Sequence, residues 1–240
     1  MTAHDERLDA KLRALGEIPV PPPSPALLGM VHGDAGRAAH TRVPARTFTL
    51  LVAAALLAVA VMVALTGVRT DLHDLPRVWF VGVACAWLAA FLVPLGIAIL
   101  PRRGSVLADS GRAAFAAFAI PIAVTAMSFA LRIDAPSTFI PAPDRELHYI
   151  FNCLRAGIGG VAIPFAMAVF ALRRAAAPVR TVWIGAAVGA ANGALAGLLL
   201  HAHCPIGGAL HVVLGHAGAS IVGAIVGAIV VPLIVGRRAT

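Results

Sequence analysis

Apolar residues in this chain fall in long, nearly unbroken runs, separated by short stretches that carry arginine, proline and acidic residues. Six runs stand out: Thr47 to Gly67, Val78 to Leu100, Ala113 to Leu131, Tyr149 to Leu172, Thr181 to about His201, and Val212 to Val235. A helix crossing the ~30 Å hydrocarbon core needs about 20 predominantly apolar residues, because a lipid-exposed backbone group has no water to pair with. The pattern therefore predicts an all-α, polytopic membrane protein of six transmembrane helices. Asn152 and Arg155 interrupt the fourth run near its start. Pro94, Pro121, Pro164 and Pro232 predict kinks, with neighbouring helices satisfying the carbonyls they free.

Composition supports this reading and excludes a soluble domain. Of 240 residues, 60% are hydrophobic and 12% charged, with a mean hydropathy of +0.89; a soluble domain carries about 25% charged residues. The net charge of +8 sits in small clusters between the runs, so it predicts orientation and not direct nucleic-acid binding. Arginine resists translocation and stays on the cytoplasmic side. Arg37, Arg42 and Arg46 precede the first span, Arg102, Arg103 and Arg112 follow the second, and Arg173, Arg174 and Arg180 follow the fourth. Arg237 and Arg238 end the chain. The opposite loops balance Arg69 and Arg77 with Asp71 and Asp74, and outweigh Arg132 and Arg145 with Asp134, Asp144 and Glu146. Both termini are thus expected in the cytoplasm, with residues 1–46 as an N-terminal segment, 47–235 as the transmembrane domain and 236–240 as a tail. The charged, proline-rich first 46 residues also predict that the first run is a retained anchor and not a cleaved signal.

Two segments carry a finer pattern. Gly185, Gly189, Gly193 and Gly197 recur every fourth residue in the fifth run, and Ala219, Gly223 and Gly227 form a similar ridge in the sixth. Small residues on one face let two helix backbones approach in lipid, so these spans are expected to pack together. In the N-terminal segment Leu8, Leu12 and Leu15 recur at i, i+4 and i+7 among charged residues, which predicts a short amphipathic helix. The Pro21-Pro22-Pro23-Ser24-Pro25 stretch ends it in an extended spacer. A helix this short is marginal alone and orders against a partner. Its mixed charges suit a protein better than a lipid surface, whose helices are richer in lysine and arginine.

The candidate chemistry lies on the outer side. The predicted topology places Cys153 at the outer start of span 4 and Cys204 at the outer end of span 5, with His201, His203 and His211 in or beside the same loop. His148 precedes Cys153, and His216 lies about a turn into span 6. Cys85, two turns inside span 2, is expected to be a small packing residue. Three readings stay open for the outer cluster. Cys153 and Cys204 act as a disulfide or redox pair; His201, His203, Cys204 and His211 bind zinc or copper through imidazole and thiolate; or the histidines are interfacial and the thiols unpaired. Arg155, two residues from Cys153, is a candidate to lower that thiol's pKa.

The Asn152-Cys153-Leu154-Arg155 and Leu200-His201-Ala202-His203-Cys204-Pro205 segments, set in six spans behind a short cytoplasmic segment, resemble the NrsF-like and CarR-like bacterial membrane anti-sigma factors. The resemblance implies a protein of the bacterial inner membrane that holds an extracytoplasmic-function sigma factor inactive and releases it on an envelope, oxidative or metal signal. It implies Cys153 and Cys204 as the sensing pair and the segment bearing Leu8, Leu12 and Leu15 as the sigma-binding element. No cofactor and no catalysis are implied. The chain departs from the family pattern after the second cysteine, at Pro205-Ile206-Gly207-Gly208-Ala209-Leu210-His211.

Other classes leave weaker traces. A small transporter or metal-binding membrane protein is the alternative, but a transport path normally places ionisable residues deep in the bilayer, and the spans hold almost none. His216 and Ser220 at i and i+4 superficially resemble a rhomboid-type intramembrane protease, without an evident oxyanion donor or third group.

Overall fold

In a computed structural model, residues 24–25, 43, 45–100, 109–130, 142–174 and 181–235 are described, and they contain seven helices and no strand. They are α1 (Ala45–Thr66), α2 (Arg77–Ile99), α3 (Asp109–Ala130), α4 (Pro143–Gly160), α5 (Ala162–Arg174), α6 (Thr181–His203) and α7 (Ala209–Val235). The chain divides into Met1–His40 and Thr41–Thr240, and the helices lie in the second unit. Leu8, Leu12 and Leu15 lie outside the described residues, as do Arg102, Arg103, Arg180, Arg237 and Arg238.

Among the described residues, α1, α2, α6 and α7 are each long and apolar enough to cross a membrane. The α4–α5 pair passes as a fifth span if its 43° bend is taken within one crossing. The fourth run bends at Val161, one turn before Pro164, where a kink is expected, and the polar Asn152 and Arg155 lie within α4. Backbone chemistry explains the position. Gly159 and Gly160 weaken the helix, and Pro164 has no N–H to donate to the Gly160 carbonyl. Val161 N–H still reaches the Gly157 carbonyl at 3.2 Å, and Phe165 N–H the Val161 carbonyl at 3.0 Å, so the chain bends without unravelling. Pro94, Pro121 and Pro232 lie inside continuous helices.

Helix α6 is the centre of the bundle: 78% of its apolar stretch is buried, against 17% for α1. Its main neighbour is α7, and α2, α3 and α4 pack around it. Burying apolar surface gains little in lipid, so close backbone contact carries the association. A methyl on Gly185 would collide with the Gly227 carbonyl, on Gly189 with that of Gly223, and on Gly193 with that of Ala219. The expected small-residue packing of these two spans is present. Gly197 is the exception, because a methyl there would lie 2.6 Å from the Trp87 ring of α2. Trp87, Phe91 and Leu95 form one buried stripe of α2 at i, i+4 and i+8. Cys85 is not the packing residue expected from sequence: it falls off this stripe and is exposed.

Candidate functional site

The end of α6, the turn after it and the start of α7 bring the outer residues together. Cys204 N–H donates to the Leu200 carbonyl at 2.7 Å and completes the last turn of α6, while Pro205 ends it. The chain reverses through Ile206, Gly207 and Gly208, and α7 begins with Val212 N–H donating to the Gly208 carbonyl at 3.0 Å. Residues Val212–Ala217 then form a π-helical turn. Residues five apart in a regular helix point about 140° away from each other. The wider i→i+5 turn swings them together. His211 and His216 therefore lie on one side of α7, ring centroids 5.5 Å apart and edge to face.

Cys153 of α4 approaches this turn from across the bundle. Its Sγ lies 3.5 Å from Cys204 Sγ, and Cys204 Sγ lies 3.4 Å from His211 Nε2. The three groups fall within 4.8 Å of one another. Cys204 and His211 are buried, His211 completely. The Cys153 thiol donating to the Cys204 sulfur, with the His211 and His216 imidazoles acting the same way, holds the Cys204 thiol below its ordinary value against the opposing effect of burial. A sulfur stabilised as thiolate beside a second thiol suits two kinds of chemistry: disulfide formation and ligation of a soft metal ion.

His201 and His203 are not part of this group, so the four proposed ligands His201, His203, Cys204 and His211 do not converge. His201 Nε2 donates to the Phe80 carbonyl at 3.0 Å, and its ring stacks on Phe80 at 4.7 Å. His203 Nδ1 lies 2.8 Å from the Gly67 carbonyl. Cys153 takes their place beside Cys204 and His211. His148 is exposed and hydrogen-bonds Asn152 at 2.8 Å, and Arg155 is exposed, turned about 200° around α4 from Cys153. Ser220 Oγ and His216 Nε2 are buried without hydrogen-bond partners, so they do not form the nucleophile–base contact a serine protease needs.

Sequence reasoning missed the clasp that holds the end of α6. Arg69, with 5% of its surface exposed, donates from Nε and Nη2 to both Asp71 carboxylate oxygens at 2.6 and 2.8 Å. Its Nη1 reaches the His201 carbonyl at 3.3 Å, and its backbone N–H the Ala202 carbonyl at 3.0 Å. The α1–α2 loop thus caps the open carbonyl end of α6, one turn before Cys204, with a cation where the helix dipole favours one. The only sequence trace was Arg69-x-Asp71 in a loop read as charge-balanced.

Residues 32–235 match the family of negative regulators of sigma F, NrsF. The chain belongs to this family. The match spans all seven helices and the Cys153–Cys204–His211 group, and it bears out the resemblance drawn from the two cysteine segments. Neither a curated protein nor a solved structure matches the chain. The family description gives this NrsF member the role of a negative regulator of a sigma factor, carried on helices long and apolar enough to cross a membrane.

Proposed function

We propose that this NrsF-family protein is a membrane anti-sigma factor of the bacterial inner membrane, with six spans and both termini in the cytoplasm. Residues 1–46 hold an extracytoplasmic-function sigma factor through the face bearing Leu8, Leu12 and Leu15. The cysteine site on the opposite side governs its release. The observation that carries the reading is the 3.5 Å approach of Cys153 and Cys204, 51 positions apart in a chain whose family restrains a sigma factor. The arginine clusters supply the orientation. Oxidation removes two protons and two electrons from the thiols, passes the electrons to an oxidant outside, and draws the sulfurs to about 2.05 Å. That shift pulls α4 against the end of α6. Sequestration requires no catalysis, only a binding segment whose affinity for the sigma factor differs between the two states.

The test is a reporter driven by the sigma factor encoded beside this gene, in cells expressing the full chain. Leu8→Ser with Leu12→Ser should release the reporter without oxidant. Cys153→Ser and Cys204→Ser should each alter induction in the same way. A reporter indifferent to the full chain would overturn the reading, and unchanged induction in both cysteine variants would remove the sensing pair.

The three-ligand geometry also favours a second reading, in which the signal is a zinc or copper ion held by Cys153, Cys204 and His211. Induction reversed by a chelator and not by a thiol reductant would select it over the disulfide.

A further inference from the structure

Asn152 and Arg155 interrupt the fourth apolar run and take no part in the cysteine site. Polar side chains within a membrane span almost always face the bundle interior or a water-filled cavity. On α4 they face the other way. His148, Asn152 and Arg155 recur at i, i+4 and i+7, so they share one side of the helix. His148 and Arg155 are exposed on the outside of the bundle, and Asn152 is half-buried. Their neighbours on this surface are apolar: Leu147 and Phe151 are 58% and 66% exposed.

Packing fixes the depth of this polar stripe. Cys153 meets Cys204 just past the end of α6. One turn on, a methyl on Gly157 would lie 3.1 Å from Leu200 and 3.2 Å from Ala196, so α4 runs antiparallel beside α6. Arg155 is therefore level with the last turn of α6, at the edge of the apolar layer that α6 is long enough to cross. No hydrogen bond or ion pair reaches its guanidinium among the described residues. A cation at that edge without a counter-charge calls for an anion. Asn152 stands beside it, three residues away on the helix surface. Its Nδ2 donates one hydrogen to His148 Nε2 at 2.8 Å, which orients the amide and leaves the second hydrogen for a ligand.

We propose that this face of α4 binds an anionic phospholipid of the outer leaflet, its phosphate held by the Arg155 guanidinium and the second Asn152 amide hydrogen. The inference rests on the membrane-spanning reading proposed above. A guanidinium fork matches two phosphate oxygens at once. The surroundings favour a lipid over a protein carboxylate, because the stripe is flanked by apolar side chains and continues inward as a groove. Gly159, one turn below Arg155 on the same side, leaves open space where a methyl would meet nothing within 4 Å. Exposed Ile158 and Ile163 border that notch, and an acyl chain hanging from the phosphate lies in it. The head must carry net negative charge, since a choline or ethanolamine ammonium competes with Arg155 for its own phosphate.

The experiment places the full chain in phosphatidylcholine nanodiscs doped with phosphatidylglycerol or phosphatidylcholine, each carrying a diazirine near the glycerol backbone, and maps the photolabel by mass spectrometry. At equal doping the glycerol lipid should label segment 147–159 about fivefold more than the choline lipid, the scale of one arginine beside an anionic head. Arg155→Gln, a change at an exposed position, should abolish that preference and leave labelling around Arg173 and Arg174 unchanged. Arg155→Lys should keep part of it. Equal labelling of 147–159 by the two lipids, or a preference that survives Arg155→Gln, would overturn the proposal. Labelling around Arg173 and Arg174 with none on 147–159 would overturn it too, and would assign the face to a protein, a second copy included. Absence of label from every segment would overturn the membrane-spanning reading itself.

Discussion

Cys204 Sγ lies 3.4 Å from His211 Nε2, across a reversal of the chain only seven residues long. The contact depends on two devices: Pro205 stopping α6, and the π-helical turn of α7 that sets His211 beside His216. It gives the buried sulfur a polar partner within 4.8 Å of the Cys153 thiol as well.

Mild oxidation of the full chain with diamide should remove two alkylatable thiols and leave one. Peptide mapping is expected to find Cys153 linked to Cys204, whose sulfurs are already 3.5 Å apart, with exposed Cys85 still free. Three free thiols after treatment would argue that the pair does not close.

His211→Ala should slow that oxidation about tenfold at neutral pH, since the thiolate is the reacting form and loses a stabilising partner. The sign in pH follows. A Cys204 thiol held below its ordinary value keeps its oxidation rate near the plateau as pH falls towards neutrality. In His211→Ala the rate should drop off at higher pH. Rate–pH profiles of the two proteins are the measurement, and superimposable profiles would separate His211 from the thiol chemistry.

Asp71→Asn should destabilise the bundle by about 2 kcal/mol, the scale of hydrogen bonds to a charged group. It leaves the buried Arg69 guanidinium without its carboxylate partner. Hydrogen exchange at the Arg69 amide, bonded to the Ala202 carbonyl, should rise with it. Arg69→Lys should recover only part of the loss, because an ammonium cannot reproduce the two parallel bonds to Asp71.

Gly189→Ala should cost about 1–3 kcal/mol of stability in detergent, the usual penalty of overpacking, because the methyl meets the Gly223 carbonyl. Gly82→Ala makes the opposite case. A methyl there has nothing within 4 Å, and replacing a mid-helix glycine should stabilise by about 0.5–1 kcal/mol. Thermal unfolding of the two variants side by side checks both, and equal shifts would count against the α6–α7 seam.

Much of the fold was legible because in a membrane each helix must satisfy its own backbone, so length and hydrophobicity mark where it starts and stops. The pairing of Gly185, Gly189 and Gly193 with α7 was legible too, since fourfold glycine spacing has one steric use. The bend of the fourth run was legible as well, since Pro164 lacks the N–H that would bond the Gly160 carbonyl, and the 43° bend falls one turn before it. Gly197 escaped, because its partner Trp87 comes from a helix 110 residues earlier and no spacing rule reaches that far.

The cysteine site divides in the same way. The sequence by itself placed Cys153, Cys204 and His211 near one end of their helices, since each sits at the edge of an apolar run. Only the tertiary structure chose among the histidines. His201 and His203 are four and six residues closer to Cys204 in number than His211, but α6 turns them towards Phe80 and Gly67, where backbone carbonyls bind their rings. The reversal after Pro205 and the π turn of α7 bring the more distant His211 back to the sulfur. Run lengths determine where helices end, while which side chains meet there depends on helix rotation and on partners far away in sequence.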